Sequence, residues 1–250
     1  GKNFPILDFN VNATGTLNLL ELTKKYCPRA PFIFMSTNKV YGDNPNRLKI
    51  IEKKTRWELK ENNKYYKGID EKFSIDNCTH SFFGVSKTYA DLIVQEYGKN
   101  VGLKTVCFRG GCLTGPNHSG AKLHGFLSYL VKISMAKKKY SLIGYKGKQV
   151  RDNLHSFDLV NSFWEFFKKP TKGEVYNMGG GRYSNCSIIE ALDLVEKIAN
   201  ISIKRDILKM PRVGDHIWYI SNLSKFKKHY PNWQQKYNTK KIIEELINNF

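Results

Sequence analysis

The stretch PFIFMSTNK, residues 31–39, is the most informative about the fold of this 250-residue chain. Its first part is short, apolar and rich in Phe and Ile, which is typical of a strand buried on both faces in a parallel sheet. Polar residues follow at once: Ser36, Thr37, Asn38 and Lys39. Because ligands of open parallel sheets bind outside the carboxyl ends of the strands, these residues mark a candidate site.

Further buried strands are predicted along the chain, and helical periodicity fills the intervals between them. The strands are KTVCFRG (104–110), YSLIG (140–144) and EVYNMGG (174–180). Apolar residues recur with helical spacing over about 6–25, 81–100, 123–138, 156–167, 187–199 and 239–250. Strands that alternate with helices predict an α/β, Rossmann-like fold, with a mostly parallel sheet and helices on both faces.

One long segment, residues 42–78, is polar and charged and has little periodicity. This composition predicts a surface excursion, and long loops of this kind are uncommon unless they are functional. A dinucleotide-binding fold normally opens with a strand, a Gly-rich turn and a helix. No G-x-G-x-x-G occurs in that context, and the glycine cluster at 179–181 comes late in the chain.

Composition narrows the class of ligand. The formal net charge is +19, but the lysines are scattered through the chain, which favours an anionic small molecule over nucleic acid.

The five cysteines are odd in number and lack metal-ligand spacing, which is typical of free thiols in a reducing cytosol. No apolar run is long enough to span a bilayer, so we expect a cytoplasmic protein without a membrane or nucleic-acid partner.

Four motifs carry a family resemblance: NVNATGTLNLLE (10–21), STNKVYGD (36–43), GKQVRDNLH (147–155) and YNMGG (176–180). Together they resemble the extended short-chain dehydrogenase family of nucleotide-sugar epimerases and dehydratases. STNKVYGD and GKQVRDNLH are most similar to the CDP-paratose 2-epimerase branch. The resemblance implies NAD as cofactor, a nucleotide-diphosphate sugar as substrate, transient oxidation at a sugar carbon, and a homo-oligomer.

Against this family the Gly-rich N-terminal βαβ part is missing, so we expect residues 1–250 to be a single α/β domain truncated at its N-terminus. Residues 1 to about 115 would be the remainder of the dinucleotide-binding half. Residues from about 116 to 250 would form a small substrate-binding region, interleaved with late elements of the Rossmann fold.

The resemblance also assigns roles to residues on the cofactor side. Thr37 would donate a hydrogen bond to the sugar oxygen that is oxidised, and Ser36 would lie beside the nicotinamide ribose. Lys87 would bind that ribose and lower the pKa of a neighbouring acid, so Thr37 and Lys87 are the predicted catalytic residues. The turn that would lie against the nicotinamide consists of Gly110, Gly111 and Cys112.

On the substrate side, the resemblance implies contacts from Asn38, Lys39, Asn117, His118 and Lys122. Arg151 and Arg212 match family arginines that hold the nucleotide diphosphate, and a guanidinium can grip a diphosphate through two parallel hydrogen bonds. The alternative for each arginine is an ordinary ion pair with Asp152 or Asp215. No metal ligands are predicted.

The motif SFFGVSK, residues 81–87, departs from the family at its catalytic tyrosine, where this chain has Phe83. Phenylalanine has no ionisable group, so a catalytically impaired protein that binds a nucleotide sugar or dinucleotide is one alternative function. A dehydratase or reductase is another, although Asn38 and Lys39 stand where dehydratases usually place an acidic pair. Among other phenols, Tyr41, Tyr65 and Tyr66 remain candidates for the missing group.

Overall fold

The structure is a computed structural model that describes residues 4–121, 125–208 and 215–250. The strands in chain order are β1 (Phe32–Thr37), β2 (Ile50–Glu52), β3 (Trp57–Leu59), β4 (Thr105–Gly110), β5 (Cys112–Thr114), β6 (Tyr140–Ile143), β7 (Val150–His155), β8 (Glu174–Met178), β9 (Asn185–Ser187), β10 (Arg205–Leu208) and β11 (Trp218–Tyr219). The helices are α1 (Pro5–Phe9), α2 (Gly15–Tyr26), α3 (Phe82–Lys99), α4 (Phe126–Met135), α5 (Ser156–Lys168), α6 (Ile188–Ala199), α7 (Ser224–His229) and α8 (Thr239–Asn248).

The main sheet is parallel, with the strand order β1–β4–β8. Thr37 pairs in register with Gly110, which pairs with Met178, so these strands end at one edge. All six residues of β4 are buried. The Rossmann-like α/β fold and the mostly parallel sheet are therefore confirmed. The predicted strands β1, β4 and β8 of this sheet are confirmed too, as is the predicted strand at β6.

A second sheet has the order β11–β7–β5, all parallel, and β9 pairs antiparallel with β7. Strand β7 is fully buried although its sequence, VRDNLH, is largely polar. The sequence indicated a motif here but no strand, because buried polar residues conceal the usual apolar pattern. Arg151 pairs with Asp215, and Asp152 Oδ2 accepts hydrogen bonds from the backbone N–H groups of Ser221 and Gly181.

The predicted helices are confirmed with small changes at their ends. The first one contains a π-helical turn, Asn10–Thr14, between α1 and α2. Helix α3 begins after Ser81, whose side chain accepts a hydrogen bond from the Gly84 N–H at 3.0 Å. This cap fixes the first turn of α3, on which Phe83 lies, against the end of β1.

The prediction that residues 42–78 form a surface excursion is wrong. They include a 3₁₀ turn (Asn44–Arg47) and the β2–β3 hairpin, and they bury Leu59, Ile69 and Phe73 in one cluster with Trp218 and Tyr219 of β11. The apolar residues are irregularly spaced because most of the segment is neither helix nor strand. No periodic pattern therefore marked it as part of the core.

Candidate functional site

The end of β1 is held by a buried network of charged and polar groups. Ser36 Oγ donates a hydrogen bond to Asp91 Oδ2 at 2.5 Å. Asp91 also accepts two hydrogen bonds from Arg109, at 2.8 and 3.1 Å, and both members of this ion pair are buried. Asp91 was missed by the sequence reasoning. Its only signal was its position on α3 one turn after Lys87, on the same face of the helix.

The polar residues after β1 form a tight 3₁₀ turn, Asn38–Tyr41, which Thr37 caps. Thr37 Oγ1 accepts a hydrogen bond from the Lys39 N–H at 3.2 Å. This turn packs against the start of α3, where a Cβ added to Gly84 would come within 3.2 Å of the Lys39 carbonyl oxygen. The absence of a side chain at Gly84 therefore lets the Thr37 turn approach the helix segment that carries Phe83 and Lys87.

The ammonium of Lys87 lies under the carboxyl end of β1. Its Nζ donates to the Met35 carbonyl oxygen at 2.6 Å and lies 4.0 Å from the centre of the Phe34 ring. Burial lowers the pKa of Lys87, which Asp91 partly opposes. One of its three N–H groups is used by Met35, so the remaining donors can serve a ligand at the strand end.

The turn after β4 passes close to β7 and β8. The Gly111 N–H donates to the Met178 carbonyl oxygen at 2.9 Å, and a Cβ at Gly111 would lie only 2.6 Å from Asp152 Oδ1. Burial raises the pKa of Cys112 to about 11, so its sulfur is a thiol at neutral pH rather than a nucleophilic thiolate.

Two cationic side chains lie next to strands of the two sheets: Lys39 follows the carboxyl end of β1, and Arg151 is the second residue of β7. Arg151, on β7, is buried and forms an ion pair with Asp215, so the ion pair considered as an alternative is present. Burial lowers the pKa of Lys39 to about 8, and the charge of Arg151 lowers it further, whereas Asp215 and Cys112 oppose the shift. The imidazole of His216, which the sequence did not indicate, is buried, with its Nε2 2.8 Å from the Gly42 carbonyl oxygen; burial lowers its pKa, and the charges of Lys39 and Arg151 lower it further.

The other residues predicted to contact substrate lie in different settings. Asn38 is buried within the 3₁₀ turn. Asn117 and His118 are exposed on the loop after β5, where His118 Nδ1 lies 3.3 Å from Ser128 Oγ. Lys122 and Arg212 lie outside the described residues.

The three alternative tyrosines lie outside α3, and the Tyr41 hydroxyl also accepts a hydrogen bond from Arg109 Nη1 at 3.1 Å, near the end of β4. Tyr41 is buried and donates to Asn177 Oδ1 at 2.8 Å, and burial raises its pKa to about 12. Tyr65 packs edge-on against Phe73, and the Arg182 guanidinium lies 4.1 Å from the centre of the Tyr66 ring. All three belong to the cluster under residues 42–78, whereas Phe83 is 39% exposed at the start of α3.

The described residues fit the nicotinamide end of a dinucleotide by the chemistry of their donors. A hydroxyl at Thr37 and an ammonium at Lys87 stand at the end of β1, and Gly110 and Gly111 leave the end of β4 without side chains. Hydroxyl and ammonium donors suit a ribose, and glycine permits close approach of the backbone to a ring. Fold and site together define a Rossmann-type α/β protein with hydroxyl and ammonium donors at the end of β1.

Comparison with known proteins gives the family. Residues 3–179 match the NAD dependent epimerase/dehydratase family. The chain is 31% identical over 248 residues to CDP-paratose 2-epimerase of Salmonella typhi, covering 97% of this chain and 71% of that enzyme. It is 32% identical over 192 residues to dTDP-D-glucose 4,6-dehydratase of Dictyostelium discoideum, covering 77% of this chain but only 39% of that enzyme. The chain belongs to the NAD dependent epimerase/dehydratase family.

Solved structures agree with this assignment at the level of the fold. The dTDP-glucose 4,6-dehydratase of Bacillus anthracis str. Ames, solved in complex with NAD, superposes with a TM-score of 0.75 at 26% identity, over 96% of this chain and 68% of that one. The UDP-glucose 4-epimerase of Thermus thermophilus, also with NAD, gives a TM-score of 0.76 at 22% identity, over 99% of this chain and 72% of that one. Among the described residues, no helix is both long and apolar enough to cross a bilayer.

Proposed function

We propose that this chain epimerises a nucleotide-diphosphate sugar with NAD as cofactor, and that its substrate is a CDP sugar changed at C2. The observation that carries this proposal is that Thr37 and the Lys87 ammonium lie at the carboxyl end of β1, with two further cations, Lys39 and the buried Arg151, on the turn after β1 and on β7. An anionic diphosphate would neutralise those cations. The substrate class rests on the Salmonella relative, whose name specifies CDP-paratose and epimerisation at C2.

Each residue then has a definite task. Arg151 would bind the diphosphate with its guanidinium, exchanging part of its pairing with Asp215 for the ligand. Thr37 would hydrogen-bond the sugar hydroxyl, and Lys87 would hold the nicotinamide ribose. Bound NAD⁺ supplies reversible hydride acceptance, and the protein supplies orientation and charge.

Assembly and location are part of the same proposal. We expect a homo-oligomer, because a continuous apolar face is exposed on α2 and α3. Its members are Leu19, Leu22, Val85, Tyr89 and Leu92. All five cysteines are free thiols, which supports a location in the cytoplasm.

The test measures binding and turnover separately. The full-length protein is titrated calorimetrically with CDP and with NAD⁺, and incubated with CDP-paratose while the sugar epimers are followed by NMR. We expect binding of both ligands and interconversion at C2, and Arg151→Ala should weaken CDP binding by about 1.5–3 kcal/mol, the usual worth of hydrogen bonds to a charged group. Binding of both ligands without turnover would indicate a non-catalytic nucleotide-sugar binder, and conversion to a 4-keto sugar would indicate a dehydratase.

A further inference from the structure

One buried ion pair is bonded to both ends of the turn that carries Thr37. Near the end of β1, Ser36 Oγ donates to Asp91 Oδ2 at 2.5 Å. At the far end of the 3₁₀ turn, the Tyr41 hydroxyl accepts a hydrogen bond from Arg109 Nη1 at 3.1 Å. Asp91 and Arg109 share two hydrogen bonds, of 2.8 and 3.1 Å. One end of the turn is therefore held by the carboxylate and the other by the guanidinium.

We propose that Asp91 and Arg109 are positioning residues of this site, an inference that rests on the proposed epimerase function. They set the place of the Thr37 hydroxyl relative to the Lys87 ammonium and need not touch a ligand themselves. Lys87 lies one turn before Asp91 on α3, so the helix that presents the ammonium also supplies the carboxylate that holds β1. Such positioning matters for rate, because a misplacement of about 1 Å can lower it ~10²-fold.

The Asp91 carboxylate is itself firmly held. Besides the bonds from Ser36 and Arg109, it accepts one from Gln95 Nε2 at 2.8 Å, one turn further along α3. Asp91 is completely buried and Arg109 is 4% exposed, so solvent and salt screen their attraction very little. A buried polar network in which every member is satisfied makes its surroundings rigid, as a positioning element requires.

The network continues from Tyr41 to β8 and to residues 42–78. The Tyr41 hydroxyl donates to Asn177 Oδ1 at 2.8 Å, and burial raises the pKa of Tyr41 to about 12, so the hydroxyl keeps the proton that it donates. Asn177 Nδ2 in turn donates to the Ile69 carbonyl oxygen at 2.8 Å. Because Arg109 lies on β4 and Asn177 on β8, one hydroxyl ties the turn to both strands.

Two alternatives for these residues are less consistent with the contacts. The ion pair could serve only the stability of the core, but its outward hydrogen bonds to Ser36 and Tyr41 both go to the turn that carries Thr37. Ser36 could bind a ligand with its hydroxyl, but Ser36 is buried and its hydroxyl donates to Asp91. The contacts therefore favour a role in fixing the turn.

The first test measures the turn without turnover. The Lys39 amide donates to Thr37 Oγ1, so its hydrogen exchange in the full-length protein reports how often the turn opens. Ser36→Ala and Tyr41→Phe each remove one link and keep both charges, because loss of either charge would leave the other buried and unpaired. We expect the Lys39 amide to exchange about two- to tenfold faster in each variant, which is the usual effect of losing one hydrogen bond. The Glu190 amide, in the cap of α6, should exchange as in wild type.

Matched substitutions control for the loss of a buried hydroxyl elsewhere. Tyr230→Phe removes a hydroxyl that donates to the Lys169 carbonyl oxygen at 3.0 Å, and Ser162→Ala removes one that donates to the Leu159 carbonyl oxygen. Both residues are buried and lie outside the Thr37 turn. Exchange at Lys39 and turnover should match wild type in both controls. If the controls accelerate Lys39 exchange as much as the test variants do, the effect is one of general stability and the proposal fails.

The second test asks whether the network acts through Thr37. Epimerisation of CDP-paratose is followed by NMR, and Ser36→Ala and Tyr41→Phe should each lower kcat about tenfold to a hundredfold. Calorimetry should show affinities for CDP and NAD⁺ within about threefold of wild type, because only the orientation of the turn has changed. In a Thr37→Ala background the same substitutions should change kcat by less than about twofold, since the group that they position is gone.

The contrary outcomes are distinct. An unchanged kcat in both variants, or a full further loss of kcat in the Thr37→Ala background, would overturn the positioning role. Weaker NAD⁺ binding by Ser36→Ala with unchanged exchange at Lys39 would also overturn it, because Ser36 would then be a ligand of the cofactor. A wild type that does not interconvert the epimers refutes the proposed function, and the Lys39 exchange rates alone then decide whether the ion pair holds the turn.

Discussion

Lys39 carries its positive charge at a cost to folding, because burial disfavours the ammonium form. Folding lowers the pKa of Lys39 from its ordinary value of 10.5 to about 8. Between these two values the unfolded chain binds the proton and the folded chain does not, so stability rises as pH increases from 8 towards 10.5. Below pH 8 the full penalty is present.

Lys39→Met should therefore stabilise the folded chain at pH 7, raising Tm by about 2–4 °C for each kcal/mol of penalty removed. It should also remove part of the increase in Tm that the wild type shows between pH 8 and 10.5. Thermal melts followed by circular dichroism across this range measure both effects, with Lys168→Met as the surface control. If Tm changes with pH in the same way for wild type and Lys39→Met, the lowered pKa of Lys39 is contradicted.

Gly111 and Gly110 provide a matched pair at the turn after β4. A Cβ at Gly111 would lie 2.6 Å from Asp152 Oδ1, and the other carboxylate oxygen of Asp152 is held by two backbone N–H groups, so it cannot move freely. Gly111→Ala should cost about 1–3 kcal/mol of unfolding free energy, the usual range for overpacking. At Gly110 a Cβ would make ordinary contacts, with the Leu113 side chain at 3.4 Å and Met35 Cε at 3.6 Å. Urea denaturation should therefore show a much smaller loss for Gly110→Ala.

At the scale of elements, a buried carboxylate helps to hold residues 42–78 to the rest of the domain. Glu58 on β3 accepts hydrogen bonds from Arg182 at 2.8 and 3.1 Å, from Arg56 at 3.1 Å and from Trp218 Nε1 at 2.9 Å. These bonds link the β2–β3 hairpin to β11 and to the loop before β9. The hairpin therefore depends on charge pairing as well as on the apolar cluster.

Glu58→Gln keeps the shape of the side chain but removes the charge that faces these donors. We expect a loss of about 1.5–3 kcal/mol in unfolding free energy for each charged hydrogen bond that is not replaced. Glu52→Gln, on β2 of the same hairpin, is the control, since Glu52 pairs with Lys146 and Lys148 at the surface, where solvent screens the pairs, and it should change stability much less. Equal losses of unfolding free energy for the two variants would contradict this prediction, because the buried carboxylate would then contribute no more than the surface one.

This segment also shows which elements the sequence could predict. Helices α3 to α6 and strands β1, β4 and β8 follow apolar periodicity, and they were predicted close to their observed ends. Strand β7 and residues 42–78 were not, because their burial depends on partners that are distant in sequence. Arg151 meets Asp215 and Glu58 meets Arg182, and a local pattern contains no information about such pairs.

The residues of the candidate site also fall into those that the sequence predicted and those that it did not. The sequence located the polar residues after β1, Lys87 on α3 and Arg151 on β7, because strand ends and family motifs mark these positions. It did not find Asp91, which holds Ser36 and Arg109 in the core, or the burial that lowers the pKa of Lys39. Both depend on how α3 and β7 pack against the sheet, which is settled only by the folded chain.

At the scale of the whole molecule, the exposed apolar face favours the proposed homo-oligomer, whereas the net charge disfavours it. On α2 and α3, the five apolar side chains named above are each exposed by 36–57%, and α3 also carries Phe83. A charge of +19 on each copy repels a second copy, so burial of this face must outweigh that repulsion. Added salt screens the repulsion and leaves the apolar contact in place.

The proposed homo-oligomer should therefore tighten as NaCl concentration rises, which is the reverse of the weakening expected for an electrostatically bound nucleic acid. Leu92→Glu places a charge in the centre of the α2–α3 face and should shift the protein to monomer, because a buried unpaired carboxylate is costly. Val160→Glu is the matched control, since Val160 is an exposed apolar residue on a different helix, α5. Light scattering coupled to size-exclusion chromatography, over a dilution series at low and high salt, measures both effects. If Val160→Glu dissociates the assembly and Leu92→Glu does not, the contact is made by α5 and not by the α2–α3 face.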